Sequence, residues 1–340
     1  MDARTHFLAG LRLVLRTPSL LAWVYVTTLV VALPLTLAIR HLLQGSFEGS
    51  LVEDNLRQGF DLSWYEEFAA GSSGLGKTFG PWVVGILAVL SNLERLLDGE
   101  LHQVDPAVAG AGIVMVLAWS LLLGGILSRF ANEEEPHSRS GFLARGGLFF
   151  WRFLRLSAIS GLLYWGIFRG IGQPLHGWIE AATRDTTVER TVMIYTVLAY
   201  VLVGLLFLAA QLVLDYARIS LVVEERRSVL LALVRALGFV KDHHRAVLGL
   251  YLMLAAATLL WFLAYAWLAP GPNQSTWTAV LLAFSLGQAY LLGRWILKLW
   301  FLASQTRLFV SSQPPALPAE EWEEPPMENS PTASTSSSTG

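Results

Sequence analysis

The sequence predicts an all-α fold: a polytopic membrane protein with six transmembrane helices. Three observations carry this. Of the 340 residues, 54% are hydrophobic and 15% charged, where a soluble domain carries roughly 25% charged residues. A water-exposed surface could not be built from so little polar material, and the mean hydropathy is +0.50. Six stretches reach the roughly 20 apolar residues needed to cross about 30 Å of hydrocarbon. Arginine and lysine concentrate in alternate connecting segments, the pattern that fixes membrane orientation.

Residues 1–18 hold Arg4, Arg12 and Arg16. The first span follows, Ser19–Ile39, with Pro34 inside it. It exceeds the 7–15 residues of a signal-peptide core and no convincing small-x-small cleavage site follows, so it is expected to stay as a span. The 41–104 segment has nine carboxylates against Arg57, Lys77 and Arg95, a net of −6. Within it, Pro81–Leu97 is expected to be a helix with proline at its first position. Its apolar stretch is too short to span and is expected to lie at the interface or against the bundle. The second span is Pro106–Ser128. The third is Phe153–Ile171, with Arg155 and Arg169 placed to snorkel to opposite interfaces. The fourth is Thr191–Leu214, its helix running on past Val223. The fifth is Ala246–Leu268 and the sixth Trp277–Phe301. Residues 311–340 are dominated by Pro, Ser, Thr and Glu and end in Ser-Thr-Ser-Ser-Ser-Thr-Gly. Such a tail buries too little apolar area to offset its ordering entropy, so it is expected to be disordered and cytoplasmic.

Charge sets the orientation. Residues 1–18, 129–156, 224–245 and the end of the sixth span with its sequel together hold 16 cationic residues, while the loops at 173–189 and 270–276 hold Arg184 alone. Both termini are therefore expected inside. Lysine occurs only at Lys77, Lys241 and Lys298. The remaining cationic residues are all arginine, a composition that suggests a bacterial source and hence a bacterial cytoplasmic (inner) membrane.

Few functional classes survive inspection. The net charge of −2 gives no pull toward nucleic acid, and the absence of cysteine excludes disulfides and thiolate chemistry. Gly71-Ser-Ser-Gly-Leu-Gly76-Lys77-Thr78 matches a phosphate-binding loop by spacing alone. Such a loop needs a strand before it and a helix after it. Residues 63–70 do not alternate as a strand does, so a Gly/Ser linker is expected and no nucleotide partner. Asp242-His243-His244 and Glu133–His137 are surface turns before they are metal sites. No metal, cofactor or catalytic residue is assigned. Gly166 and Gly170 have the spacing that permits close helix contact. Ser228–Lys241 has an apolar face, basic flanks and Ser228 as N-cap, which suits the cytoplasmic interface with anionic lipid.

Asp215 and Arg218 stand three apart near the inner end of the fourth span, on one helix face. A charge in that run must be paired or face the bundle interior. The pair is expected to lock the helix in place, or else to mark an ion pathway. Asp215-Tyr216-Ala217-Arg218, followed by Val-x-Glu-x-Arg with Glu225 as its glutamate, an amphipathic helix and a basic or His-containing turn, resembles a recurrent module of bacterial multi-span membrane proteins without an assigned activity. It is more distantly similar to the membrane region of some glycerophosphodiester phosphodiesterases. The resemblance covers Asp215–Tyr251, about a tenth of the chain. It implies Asp215, Tyr216, Arg218 and Glu225 as motif positions, and no hydrolysis, because the catalytic phosphodiesterase domain is absent.

The expected function is that of a non-enzymatic envelope scaffold, assembly factor or regulator. Its partners would be the lipid bilayer and other membrane proteins. The alternative is a transporter or permease for a small or lipid-like molecule. That would call for converging polar groups and broken helices, for which Gln211, Gln288, Pro34 and the Asp215–Arg218 pair are the candidates. A cavity lined by Asp215 and Gln211 would favour the alternative.

Overall fold

The computed structural model describes residues 3–47, 61–72, 75–76, 106–132, 139–184, 186, 188–270 and 276–313. These are helical almost throughout, with no strand among the described residues. The elements are α1 (Ala3–Leu15), α2 (Pro18–Phe47), α3 (Leu62–Gly71), α4 (Pro106–Ala131), α5 (Arg139–Ile167), α6 (Gln173–Thr183), α7 (Glu189–Val223), α8 (Val229–Asp242), α9 (His244–Leu268) and α10 (Trp277–Ser311). Five of these, α2, α4, α7, α9 and α10, are long and apolar enough to cross a membrane. The chain is a multi-pass membrane protein by this measure. The Pro81–Leu97 helix, the Glu133–His137 turn, Lys77, Thr78 and the tail from 314 onward lie outside the described residues.

Several elements differ from expectation. The third predicted span, 153–171, falls in the second half of α5 and the turn after it, while the first half of α5 carries Arg145 and Arg152. The helical path does not end there. A π turn at Phe168–Gly172 leads straight into α6, so the expected loop at 173–189 is helical to Thr183. Pro174 accounts for the π turn. Its ring crowds the carbonyl four residues back and it has no N–H to donate, and a single wide turn accommodates both faults. The fourth helix does not run on past Val223. Glu225 takes a left-handed conformation, with φ of 47°, and that residue stops the helix. The helix before the Gly71 loop is α3, capped by Asp61, whose carboxylate accepts from the Trp64 amide. A helix, not a strand, therefore feeds that loop.

The packed core gathers at one end of the bundle. Buried residues run from Ser120 to Phe130 on α4, from Leu212 to Val222 on α7 and from Leu299 to Phe309 on α10. The opposite ends of the same helices expose leucine, valine and aromatic side chains, as a lipid-facing surface requires. Small residues permit the tightest crossings. A Cβ on Gly146 of α5 would stand 2.5 Å from the Leu121 carbonyl oxygen of α4, and one on Gly125 2.5 Å from the Phe142 ring. Gly10 of α1 lies against Ser304 of α10 in the same way, and beside it the Trp300 indole N–H donates to the Phe7 carbonyl at 2.7 Å. Gly166 and Gly170, expected to serve such a contact, face open space. The close approach of α4 to α5 is made at Gly125 and Gly146 instead.

The joint between α7 and α8 is tied by charge. The Glu224 carboxylate accepts from the Ser220 hydroxyl at 3.0 Å, from Arg235 Nε at 3.1 Å and from Arg226 Nε. Burial pushes this carboxyl up, but the bonds from Arg226, Ser220 and Arg235 outweigh it and hold it below the ordinary value. From α5, Arg152 donates to the carbonyls of Glu225 and Arg226 at 3.3 and 3.2 Å. α8 begins where expected, with the Ser228 hydroxyl accepting from the Leu231 amide.

Candidate functional site, an interhelical cavity

α7 is built from leucine, valine and alanine, so its few polar side chains must find partners inside the bundle. Asp215 does so twice on one oxygen. Its Oδ1 accepts from Arg218 Nη1 at 2.6 Å and from Gln211 Nε2 at 2.9 Å. The Asp215 side chain is 4% exposed and that of Arg218 17%. Gln211 Oε1 in turn accepts from the Tyr164 hydroxyl of α5. A hydrogen-bonded chain therefore runs Tyr164, Gln211, Asp215, Arg218 across two helices. The i, i+3 and i, i+4 spacings place the last three on one face.

The other motif positions have different surroundings. Tyr216 points away from Asp215 into the core, its ring 4.9 Å from Phe239 and 6.5 Å from Phe309. Its hydroxyl is buried without a hydrogen-bond partner among the described residues. Glu225 is exposed and pairs with Arg145 at 3.4 Å. The neighbour Glu224 holds the joint. Either glutamate satisfies Val-x-Glu-x-Arg as a pattern, and only packing separates them. Gln288 is remote from this chain and accepts from the Tyr25 hydroxyl at 2.6 Å, linking α2 to α10. His243 stacks on Phe239 at 4.8 Å. No group of three potential metal ligands converges among the described residues.

Gln211 and Asp215 form part of the wall of a cavity of about 750 Å³, within the 300–1,000 Å³ typical of small-molecule sites. Four helices contribute. α7 gives Leu208, Gln211 and Asp215, one face of α9 from Tyr251 to Phe262 and one face of α10 from Tyr290 to Phe301 give most of the rest, and α4 gives Trp119. α7 and α9 each pack on α10 but share no extended contact with each other. Both line the cavity, and neither closes on the other along its length. Aromatic rings stiffen the wall. Trp119 and Trp295 lie 5.6 Å apart, Tyr265 and Tyr290 stack at 4.2 Å, and Trp261 covers Gly293 while its indole N–H donates to the Tyr290 carbonyl at 3.3 Å.

Arg294 and Lys298 also line the cavity. In the sequence they register only as charges that fix orientation. Their i, i+4 spacing was the available signal, but that the face they share is hollow depends on how α7 and α9 splay. No family model, curated protein or solved structure matches the chain. The chemistry must therefore be read from the cavity itself. It offers hydrogen-bonding and charged groups at one side and apolar, aromatic walls elsewhere. Among the described residues Asp215 is the carboxylate on its wall, and Arg218 binds it.

Proposed function

We propose that this protein is a six-span component of a bacterial cytoplasmic membrane, with both termini inside, that holds a small or lipid-like molecule between its helices and acts as a transporter or permease for it. The observation that carries the reading is the cavity of about 750 Å³ walled by Gln211 and Asp215 and lined by α7 and α9, which do not close on each other. A scaffold needs no such volume, and a void of this size between lipid-facing helices does not stay empty at no cost. The sixth span is supplied by the apolar second half of α5 and its continuation through the π turn. The charge asymmetry places the packed, arginine-rich end of the bundle in the cytoplasm. α8 then lies at the inner interface. One face, Val229, Ala232, Ala236 and Phe239, is buried, while Leu230, Val234 and Leu237 are more than half exposed and suit insertion among headgroups. The segment that resembles a bacterial membrane module, Asp215–Tyr251, contributes Asp215 and Tyr251 to the cavity and contains the α7–α8 joint.

The test is to fill the cavity. Ala255 lines it and is exposed, so Ala255→Trp adds bulk inside without displacing a core residue. Purified protein should gain thermal stability on addition of an amphiphile, and the variant should lose that gain while keeping its unliganded melting temperature. Equal stabilisation of both proteins contradicts the reading.

A further inference from the structure

The cavity carries more positive charge than its own residues neutralise. Arg294 and Lys298 are one turn apart on α10 and both line it. Neither makes an ion pair or hydrogen bond among the described residues. Asp215 does not serve them, because Arg218 holds it at 2.6 Å. No other carboxylate lines the cavity among the described residues. Arg294 is exposed and Lys298 half-buried, and with no anionic partner among the described residues both present their charge beside tryptophan, leucine and phenylalanine side chains of the cavity, a place that favours a bound anion. The rest of the wall speaks for a hydrophobic body attached to that anion. Leu208, Leu259 and Phe262 line the cavity and are exposed.

We propose that the cavity selects an amphiphile with an anionic headgroup. Arg294 and Lys298 hold its phosphate or carboxylate, and the hydrocarbon tail leaves between α7 and α9. This rests on the cavity being an amphiphile site and supplies the substrate class. An i, i+4 pair puts the two cations on one face, about 6 Å apart at the backbone, close enough to reach different oxygens of one headgroup. The guanidinium supplies a fork and the ammonium a point charge. A free anion shares the headgroup chemistry but would leave the apolar wall unused.

The experiment uses the full chain in a neutral detergent. Native mass spectrometry would report binding of short-chain phosphatidylglycerol, phosphatidylcholine of the same chain length, and inorganic phosphate. Phosphatidylglycerol should bind about tenfold or more tighter than phosphatidylcholine, the ratio expected for even a modest charge contact. The ratio should fall as salt rises. Arg294→Gln with Lys298→Gln should bring it close to one. Arg294→Lys with Lys298→Arg should keep most of it. The ratio for the unaltered chain stands whether or not the variants fold. Equal binding of both lipids overturns the charge selection and leaves the amphiphile site standing. Failure of either lipid to bind the unaltered chain removes the amphiphile site itself. Inorganic phosphate binding as tightly as phosphatidylglycerol overturns the lipid assignment in favour of a free anion.

Discussion

The Asp215–Arg218 bond shows what single residues do here. A carboxylate 4% exposed beside a guanidinium 17% exposed is close to a buried ion pair, and removing one partner of such a pair costs on the order of 3–5 kcal/mol because the other charge is stranded. Asp215→Asn alone should approach that loss in detergent stability. Arg218→Gln alone should cost less, since Gln211 still donates to the remaining carboxylate. The double variant should recover part of the deficit, and the coupling energy from the four proteins measures it. Strict additivity would show that the two side chains do not depend on each other. The pair was legible in the sequence because its spacing lies within one helix. Tyr164 was not, since it comes from α5 and meets Gln211 only through packing. The choice between Glu224 and Glu225 was equally closed to pattern. It turns on which side chain the backbone at φ 47° directs toward Ser220 and Arg235.

At the scale of elements, the helices were legible where their own sequence decides them. α8 with its Ser228 cap, and the apolar lengths of α2, α4, α7, α9 and α10, follow from periodicity and composition. The misread boundaries share a cause. The end of α7 and the continuation of α5 into α6 depend on one residue's backbone and on a π turn that accommodates Pro174, and neither leaves a mark on hydropathy. Helix contacts were harder still. Gly166 and Gly170 had the right spacing but face open space, while Gly146 meets the Leu121 carbonyl at 2.5 Å from where a Cβ would be. Gly146→Ala should therefore force α4 and α5 apart and cost about 1–3 kcal/mol, as overpacking does. Gly147→Ala, with nothing within 4 Å of its Cβ, should be neutral or slightly stabilising through helix propensity. Thermal melts of the two variants in detergent compare them. A Gly146→Ala protein as stable as its parent would show that the crossing is looser than the structure has it.

For the whole molecule, a bundle packed at one end and splayed at the other follows from where its polar residues stand. The Asp215–Arg218 pair, Ser220, Glu224 and the arginines that bind Glu224 stand together at one end of the helices, where side chains bond to one another. The spans toward the other end expose mainly leucine, valine and aromatic side chains and gain little from packing in lipid. The same polarity predicts topology. Reporter fusions after Arg139, Arg227 and Arg307 should sit in the cytoplasm and one near Gly71 outside, and an external signal after Arg227 would overturn the orientation.

The central claim is that the hollow between α7, α9 and α10 binds an amphiphile. The chain has no cysteine, so Ala255→Cys places a single thiol on the cavity wall. Its rate of reaction with a small maleimide should fall several-fold when phosphatidylglycerol is added to the detergent-solubilised protein. A cysteine at Trp267, which is 86% exposed on the outer part of α9, should react at an unchanged rate. Loss of reactivity at position 255 alone is the predicted result. A rate at position 255 that no added amphiphile alters, or an equal fall at both positions, would contradict the account.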